Sequence, residues 1–147
     1  MKYNKICDCC GQGVVAYTHN INKPIVEAFI RLVEYYQDMR DGVNINQDLG
    51  LTHNQKCNLP KLQYYGLIRR TPEGWFPTIR GIMFYHGEIA VLAPVATLGN
   101  EVIPDNHEAW ETHEKSRKSI MIGDIVETHY RPRSAYQQEK SNQLGLL

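Results

Sequence analysis

Two cysteines near the N-terminus, Cys7 and Cys10, are the residues of this 147-residue chain best spaced to bind a metal. In a Cys-x-x-Cys-Gly segment a tight turn aims two thiolates at one ion, as in a zinc knuckle. A structural zinc takes four ligands and a second such pair is missing. The donors considered are Cys9, which adjoins Cys10 and is therefore poorly placed to bind the same ion, and His19, His53 and Cys57. His53 and Cys57 are four residues apart and would share a helix face, whereas His19 is nearer in the chain. The sequence leaves this choice open, together with the alternative of reduced thiols that bind no metal.

A second group of side chains is suited to contacts with double-stranded DNA. Asparagine and glutamine can form bidentate hydrogen bonds to adenine, lysine can contact guanine or phosphate, and arginine can neutralise phosphates. The backbone N–H groups at a helix start can also donate to a phosphate. Each residue alone is explained as ordinary solvated surface. Their concentration on one short helix beside a basic hairpin favours DNA binding, and the candidates are Thr52, Asn54, Gln55, Lys56, Lys61, Arg69 and Arg70.

The helix that would position these side chains begins at Thr52. A threonine there can cap the helix, because its hydroxyl oxygen accepts an otherwise unpaired backbone N–H. Pro60 inside a helix would cost about 3 kcal/mol unless the helix bends or breaks. We therefore expect two pieces, residues 52–58 and residues 60–65, with Gly66 ending the second.

Short elements are expected on both sides of this helix. Before it, Asn46 would cap a very short helix through Leu49, and Gly50 would end that helix in the left-handed conformation. After it, two strands would form a hairpin, or wing, whose turn contains Pro72 and Gly74. The sequence therefore predicts a helix-turn-helix followed by a wing.

Two longer apolar patterns predict the helices that would support this unit. One helix would start at Asn22 and Pro24 and end at Asp41–Gly42, with Ile25, Phe29, Leu32, Tyr36 and Met39 on one face. The other would be capped by Thr78, with Ile79, Ile82 and Met83 on one face.

The remaining third of the chain predicts strands. Residues 89–92 and 95–98 are apolar and extended in character, and Gly99–Asn100 is typical of a two-residue hairpin turn. Residues 119–126 could add a further strand. From residue 131 onward polar residues predominate, which is typical of a disordered tail.

Residues 44–86 resemble a winged helix-turn-helix domain. The resemblance rests on Leu49-Gly50-Leu51-Thr52 at the turn, on Lys61-Leu62 with Gly66-Leu67-Ile68, and on Thr78-x-x-Gly81. In that family the helix equivalent to the one starting near Thr52 lies in the DNA major groove, and the wing contacts the backbone or minor groove. Over about its first two thirds the chain also resembles a group of uncharacterised phage-encoded proteins. They combine a Cys-x-x-Cys-Gly knuckle, a His-x-x-Asn-Lys segment and an Asn-Gln start of the DNA-contacting helix. The matching residues in this chain are Cys7 to Gly11, His19 to Lys23 and Asn54-Gln55. The second resemblance implies a phage origin and little about activity.

These observations together predict an α+β protein with a winged helix-turn-helix core, an N-terminal cysteine knuckle and a C-terminal β-rich extension. We expect a knuckle segment at 1–22, a winged helix domain at 23–87, a β-rich extension at 88–130 and a tail at 131–147. Structural zinc is the expected cofactor.

The distribution of charge agrees with DNA binding better than its total does. The formal net charge is zero, which disfavours a general polyanion binder. From Leu51 to Gly87, however, five basic residues stand against one acid, a net charge of +4. From Glu101 to Glu127, three basic residues stand against seven acids, a net charge of −4. A homodimer would double the positive surface, and the leading hypothesis is a small sequence-specific transcriptional regulator.

The alternative is a zinc-stabilised adaptor whose winged helix binds a host or phage protein. The neutral total, the acidic segment and Trp110 favour this alternative, since tryptophan is a frequent interface anchor. We expect no enzymatic activity, because no histidine lies in a nucleophile, phosphate-loop or catalytic-metal motif. The first six residues are too polar for a signal peptide and no apolar run is of membrane-spanning length, so we expect a cytoplasmic location.

Overall fold

The longest helix, α1 (Lys23–Met39), is the support on which the other elements pack. The computed structural model describes residues 4–6, 13–107, 110 and 117–127. Asn22 caps α1 by accepting a hydrogen bond from Ile25 N at 3.1 Å, and Pro24 lies in the first turn, as expected. Ile25, Phe29 and Leu32 are buried. The predicted apolar face is wrong at its end, because Met39 is 60% exposed.

A tight turn, rather than a short helix, leads from α1 to the next helix. Asn44 O accepts hydrogen bonds from Gln47 N (3.1 Å) and Asp48 N (2.8 Å), and Asn44 Oδ1 accepts one from Asn46 N (3.0 Å). The expected helix from Asn46 to Leu49 is therefore replaced by one turn that starts at Asn44. An asparagine side chain that binds the backbone two residues later favours such a turn over a helix. Gly50 adopts the expected left-handed conformation, with φ of 61°.

The helix capped by Thr52 is divided as the proline predicts. Helix α2 (His53–Asn58) has Thr52 as its cap, with Gln55 completing a capping box. A 3-10 helix (Leu59–Tyr65) follows, with Pro60 in its first turn, where the missing N–H is harmless. Gly66 ends it with φ of 75°.

The hairpin and the helix after it pack closely on this unit. Strands β3 (Ile68–Thr71) and β4 (Gly74–Pro77) are antiparallel, and Val43 adds a bridge to Trp75 through two hydrogen bonds of 2.9 Å. Helix α3 (Ile79–Tyr85) is capped by Thr78, as predicted. A methyl group on Gly81 would overlap Leu67 O, so this glycine allows α3 to touch the chain just before β3.

The strands outside the hairpin form two further sheets. The larger sheet has the order β1 (Asn4–Ile6), β2 (Gly13–His19), β6 (Val95–Leu98) and β7 (Glu101–Val102), and every pair in it is antiparallel. The smaller sheet pairs β5 (Val91–Ala93) with β8 (Lys118–Ile120). The turn at Gly99–Asn100 has φ of 59° and 67°, as expected for the predicted hairpin. The strand expected at 119–126 is only partly present, because residues 122–125 form the short helix α4 (Ile122–Ile125).

One hydrophobic core joins the helices to the smaller sheet. Buried residues on both sides of position 88 belong to it, including Phe29, Leu62, Val91 and Ile122. This core therefore extends across the boundary expected at residue 88, and a second, smaller cluster of Ala16, Ala96 and Ile103 lies outside it. The described residues contain helices and strands, which confirms the α+β class, and none of the described helices is long and apolar enough to cross a membrane.

Candidate nucleic-acid interface

The first turn of α2 presents polar side chains to solvent. Thr52, His53 and Asn54 are exposed, and Lys56 is half-buried. The Asn54 amide makes no hydrogen bond within the described residues, and only its backbone oxygen is used, by Asn58 Nδ2 at 2.8 Å. Its donor and acceptor are therefore both available to a base edge. After the role that the sequence predicts for it, we call α2 the reader helix from here on.

Thr52 is exposed, but its hydroxyl oxygen and its backbone N–H are both used in capping the helix. Its hydroxyl oxygen accepts Gln55 N at 3.2 Å, and its backbone N–H donates to Gln55 Oε1 at 3.0 Å. The backbone N–H groups that remain for a phosphate in this turn are those of His53 and Asn54.

The sequence predicted that Gln55 contacts a base, but in the structure this residue is buried. Its side chain is only 8% exposed, and both ends of its amide are satisfied within the protein. Oε1 accepts the Thr52 N–H, and Nε2 donates to Pro24 O at 2.9 Å. In a helix, adjacent residues point in directions about 100° apart, and here Asn54 faces solvent while Gln55 faces the start of α1. Gln55 fastens the reader helix to the start of α1, and we remove it from the set that would contact bases.

The β3–β4 hairpin, which is the predicted wing, holds two arginines against aromatic rings. The Arg69 guanidinium lies 5.6 Å from the centre of the Phe76 ring, and that of Arg70 lies 6.0 Å from the Trp75 ring. Both arginines are exposed, so their charge remains available to solvent or to a phosphate. Phe76 itself packs edge-on against Tyr36 of α1 at 5.8 Å. Such stacking restricts the arginine side chains without neutralising them.

Lys61 is exposed on the 3-10 helix and lies close to β2. Burial lowers the pKa of His19 from its usual value, and the positive charge of Lys61 lowers it further. The His19 ring lies 4.9 Å from that of Tyr64, and its Nε2 is 2.8 Å from Thr97 Oγ1. Lys61 therefore acts electrostatically on His19 of β2. In the sequence it belongs to the same basic segment as the reader helix and the wing.

The predicted metal ligands that the structure describes fall into two places. His53 and Cys57 lie side by side on the reader helix, with 3.6 Å between Nε2 and Sγ. His19 lies on β2, where its Nε2 is occupied by Thr97. Cys7, Cys10 and the tail from residue 131 lie outside the described residues. Within the part of the chain that is described, no three potential ligands are close enough to hold a metal.

The 3.6 Å separation of the His53 and Cys57 donors fits a shared zinc ion. With Zn–S of about 2.3 Å, Zn–N of about 2.0 Å and tetrahedral angles, the two donor atoms would be roughly 3.5 Å apart. Both side chains are exposed, so two further ligands could approach them. Of the alternatives left open by the sequence, this pair is better arranged for a metal than His19.

Two sets of contacts, one before the reader helix and one at the end of the 3-10 helix that follows it, were not anticipated from the sequence. Arg31 of α1 donates from Nη1 to Gly50 O at 3.1 Å and approaches Leu49 O at 3.4 Å, which fixes the turn before the reader helix. At the other end, Thr78 Oγ1 donates to Gly66 O at 2.5 Å and Arg80 Nε to Tyr65 O at 3.1 Å. The sequence predicted Thr78 as the cap of α3 but not its contact with Gly66, and no local signal pointed to the Arg31 contact.

The apolar face expected on α3 is partly directed to solvent. Ile79 is 82% exposed and Met83 is 36% exposed, while Gly81 and Phe84 face the core. The position of Gly81 against Leu67 sets the rotation of the helix, because only a residue without a side chain fits there. Ile79 and Met83 therefore form a small exposed apolar surface.

Comparison with known proteins finds no matching family model, and no curated protein or solved structure with significant similarity.

Proposed function

We propose that this protein is a winged helix-turn-helix DNA-binding protein, acting as a small sequence-specific transcriptional regulator of the phage type. The order of α1, the Val43 bridge, the Asn44 turn, the reader helix and the β3–β4 wing supports this assignment. The reader helix would enter the major groove and the wing would lie along the backbone.

One observation carries the proposal. The Asn54 amide makes no hydrogen bond within the described residues and lies on an exposed helix turn, in the same basic segment as two exposed arginines of the wing. An asparagine amide can recognise adenine through two hydrogen bonds, and phosphate contacts from arginine supply affinity without sequence information. Lys56 adds a positive charge to the same helix, and Lys61 adds one to the 3-10 helix. The segment from Leu51 to Gly87 thus combines base contacts with a net charge of +4, which two copies would double.

Selection of bound duplexes from a random library with the full chain tests this proposal. We expect enrichment of a defined site, with affinity that falls as salt rises because bound cations are released from the DNA. Arg69→Ala and Arg70→Ala should each weaken binding to the selected site and to random DNA alike, and reduce the salt slope by about one.

The matched control for the wing substitutions is Lys118→Ala. Lys118 is exposed on β8, outside both the reader helix and the wing, and its loss changes net charge by the same amount. Equal effects of all three substitutions would mean that only total charge matters, which contradicts a wing contact. Absence of any enriched site would overturn sequence-specific binding.

We also propose a structural zinc bound by Cys7, Cys10, His53 and Cys57. The His53–Cys57 separation supports it, and the Cys-x-x-Cys-Gly segment supplies the remaining thiolates. Zinc bound in this way would tie the N-terminal segment to the reader helix and so contribute to folding stability. The His53 side chain would then be a metal ligand.

The exposed Ile79 and Met83 support the alternative function, an adaptor that binds a host or phage protein. A heparin column distinguishes the two functions. Retention at moderate salt is expected of the DNA-binding protein, because heparin presents a dense negative charge. Flow-through, together with failure to enrich a DNA site, would favour the adaptor.

A further inference from the structure

A cavity of about 460 Å³ lies between the end of the 3-10 helix and the strands that follow α3. Tyr65 and Gly66 form one side, Val95 and Val102 belong to the strands on another, and Arg80 and Arg117 supply its positive charge. Sites for small molecules occupy cavities of this size and often lie where two parts of a fold meet. None of the proposed DNA contacts lines it.

Arg117 is an unusual residue to find in this wall, because its side chain is only 11% exposed. Its Nε donates to Pro94 O at 2.9 Å, and its guanidinium lies 3.9 Å from the centre of the Trp110 ring. Its acidic partner is Asp105, at 2.7 Å from Nη1, but the Asp105 side chain is 73% exposed. A buried charge needs close compensation, and a carboxylate that is mostly in water compensates weakly.

Arg80 brings a second guanidinium to the same cavity. Its Nε donates to Tyr65 O at 3.1 Å, and its side chain crosses Gly66, where an added Cβ would be 3.4 Å from Arg80 Cδ. Its two terminal nitrogens make no hydrogen bond within the described residues. A planar guanidinium with free terminal N–H groups is well suited to bind a carboxylate or phosphate.

The charged groups described in the cavity wall are Arg80, Arg117 and Asp105, which leave one positive charge uncompensated. The strand residues Val95 and Val102 provide an apolar surface beside them. A ligand that matches both features carries a negative group at one end and an apolar body at the other.

We propose that this cavity binds a small organic oxyanion, a carboxylate or phosphate monoester with an apolar body, and that Arg80 and Arg117 hold its charged group. The proposal does not depend on DNA binding, since the cavity and its charges are separate from the reader helix and the wing. Arg80 and Arg117 approach the ligand from α3 and from the segment before β8, so the bound anion would join the helical part to the strands.

Calorimetric titration of the full chain with benzoate, phenyl phosphate and uncharged benzamide tests the proposal. We expect saturable one-site binding of at least one anion and none of benzamide, and the preferred anion shows whether the site takes carboxylates or phosphates. Binding should also shift the backbone amide signal of Gly66 in an NMR titration, because Arg80 crosses that residue. Arg80→Gln should weaken binding about tenfold or more, since a charge-assisted hydrogen bond is lost.

The matched control is Arg70→Gln, which removes the same charge from the wing and should leave the affinity unchanged. The proposal is overturned if neither anion binds saturably, or if the Arg70 and Arg80 substitutions weaken binding equally. Benzamide binding as well as benzoate would overturn the role of the positive charge. Inorganic phosphate binding as well as phenyl phosphate would overturn the role of the apolar wall.

Discussion

Gln55 and Asn54 are neighbours on the reader helix, and we expect their replacement by alanine to have opposite effects. Gln55→Ala should destabilise the protein and leave the affinity of the folded protein for DNA nearly unchanged. Asn54→Ala should leave stability unchanged and weaken binding to the selected site. The difference follows from the burial of Gln55, whose amide is bound to Thr52 and Pro24, and from the free amide of Asn54.

The magnitude for Gln55→Ala comes from three losses. Two hydrogen bonds contribute about 1 kcal/mol each to stability, and the one buried methylene group that is lost contributes about 1 kcal/mol more. Both hydrogen bonds are only partly buried, so we expect water to replace the glutamine amide at the freed N–H and C=O. The full penalty for an unsatisfied buried group is therefore avoided, and we expect a loss of about 2–3 kcal/mol.

We expect Asn54→Ala to change the free energy of unfolding little and the free energy of binding to the selected site much more. An exposed side chain without an internal partner changes the free energy of unfolding by about 0.5 kcal/mol or less. Loss of a bidentate contact to adenine should cost about 1–3 kcal/mol on the selected site and almost nothing on random DNA.

Urea unfolding and DNA titration of the same three proteins measure both effects. The third protein is Gln37→Ala, an exposed glutamine on α1 that should change neither quantity. If Gln55→Ala weakens DNA binding without loss of stability, the Gln55 side chain leaves its buried position to contact DNA. The assignment of Gln55 as a structural residue would then be wrong.

Three further predictions concern stability. Gly81→Ala should cost about 3 kcal/mol or more in urea unfolding, because the new methyl group overlaps Leu67 O, whereas Gly50→Ala, in open space with φ of 61°, should cost about 1–2 kcal/mol. The lowered pKa of His19 means that the unfolded chain binds a proton before the folded one does. The contribution of His19 to stability should therefore be full above the usual histidine range and fall as pH drops through it, and His19→Gln should reduce this fall. Purified protein should contain about one zinc per chain, and a chelator should lower its melting temperature; metal-free protein with unchanged melting would contradict the zinc proposal.

Short-range signals in the sequence were sufficient to predict where most helices and turns begin and end. The caps at Asn22, Thr52 and Thr78, and the division of the helix near Pro60, were all predicted correctly. These features depend on the chemistry of one residue and its neighbours within about four positions, so the local sequence contains the necessary information. The prediction of a helix capped by Asn46 was wrong because the Asn44 side chain accepts the Asn46 N–H, and this hydrogen bond stabilises a turn.

Only the tertiary structure determined which side chains are exposed to solvent and available for binding. Strand β2 pairs with β6 about 80 residues later, which no local pattern specifies. Gln55 is withdrawn from solvent by Pro24, 31 residues earlier in the chain, and Ile79 is turned outward by the contact of Gly81 with Leu67. Helical periodicity gives the spacing of side chains around an axis, but the rotation of that axis toward the core depends on the elements packed against it.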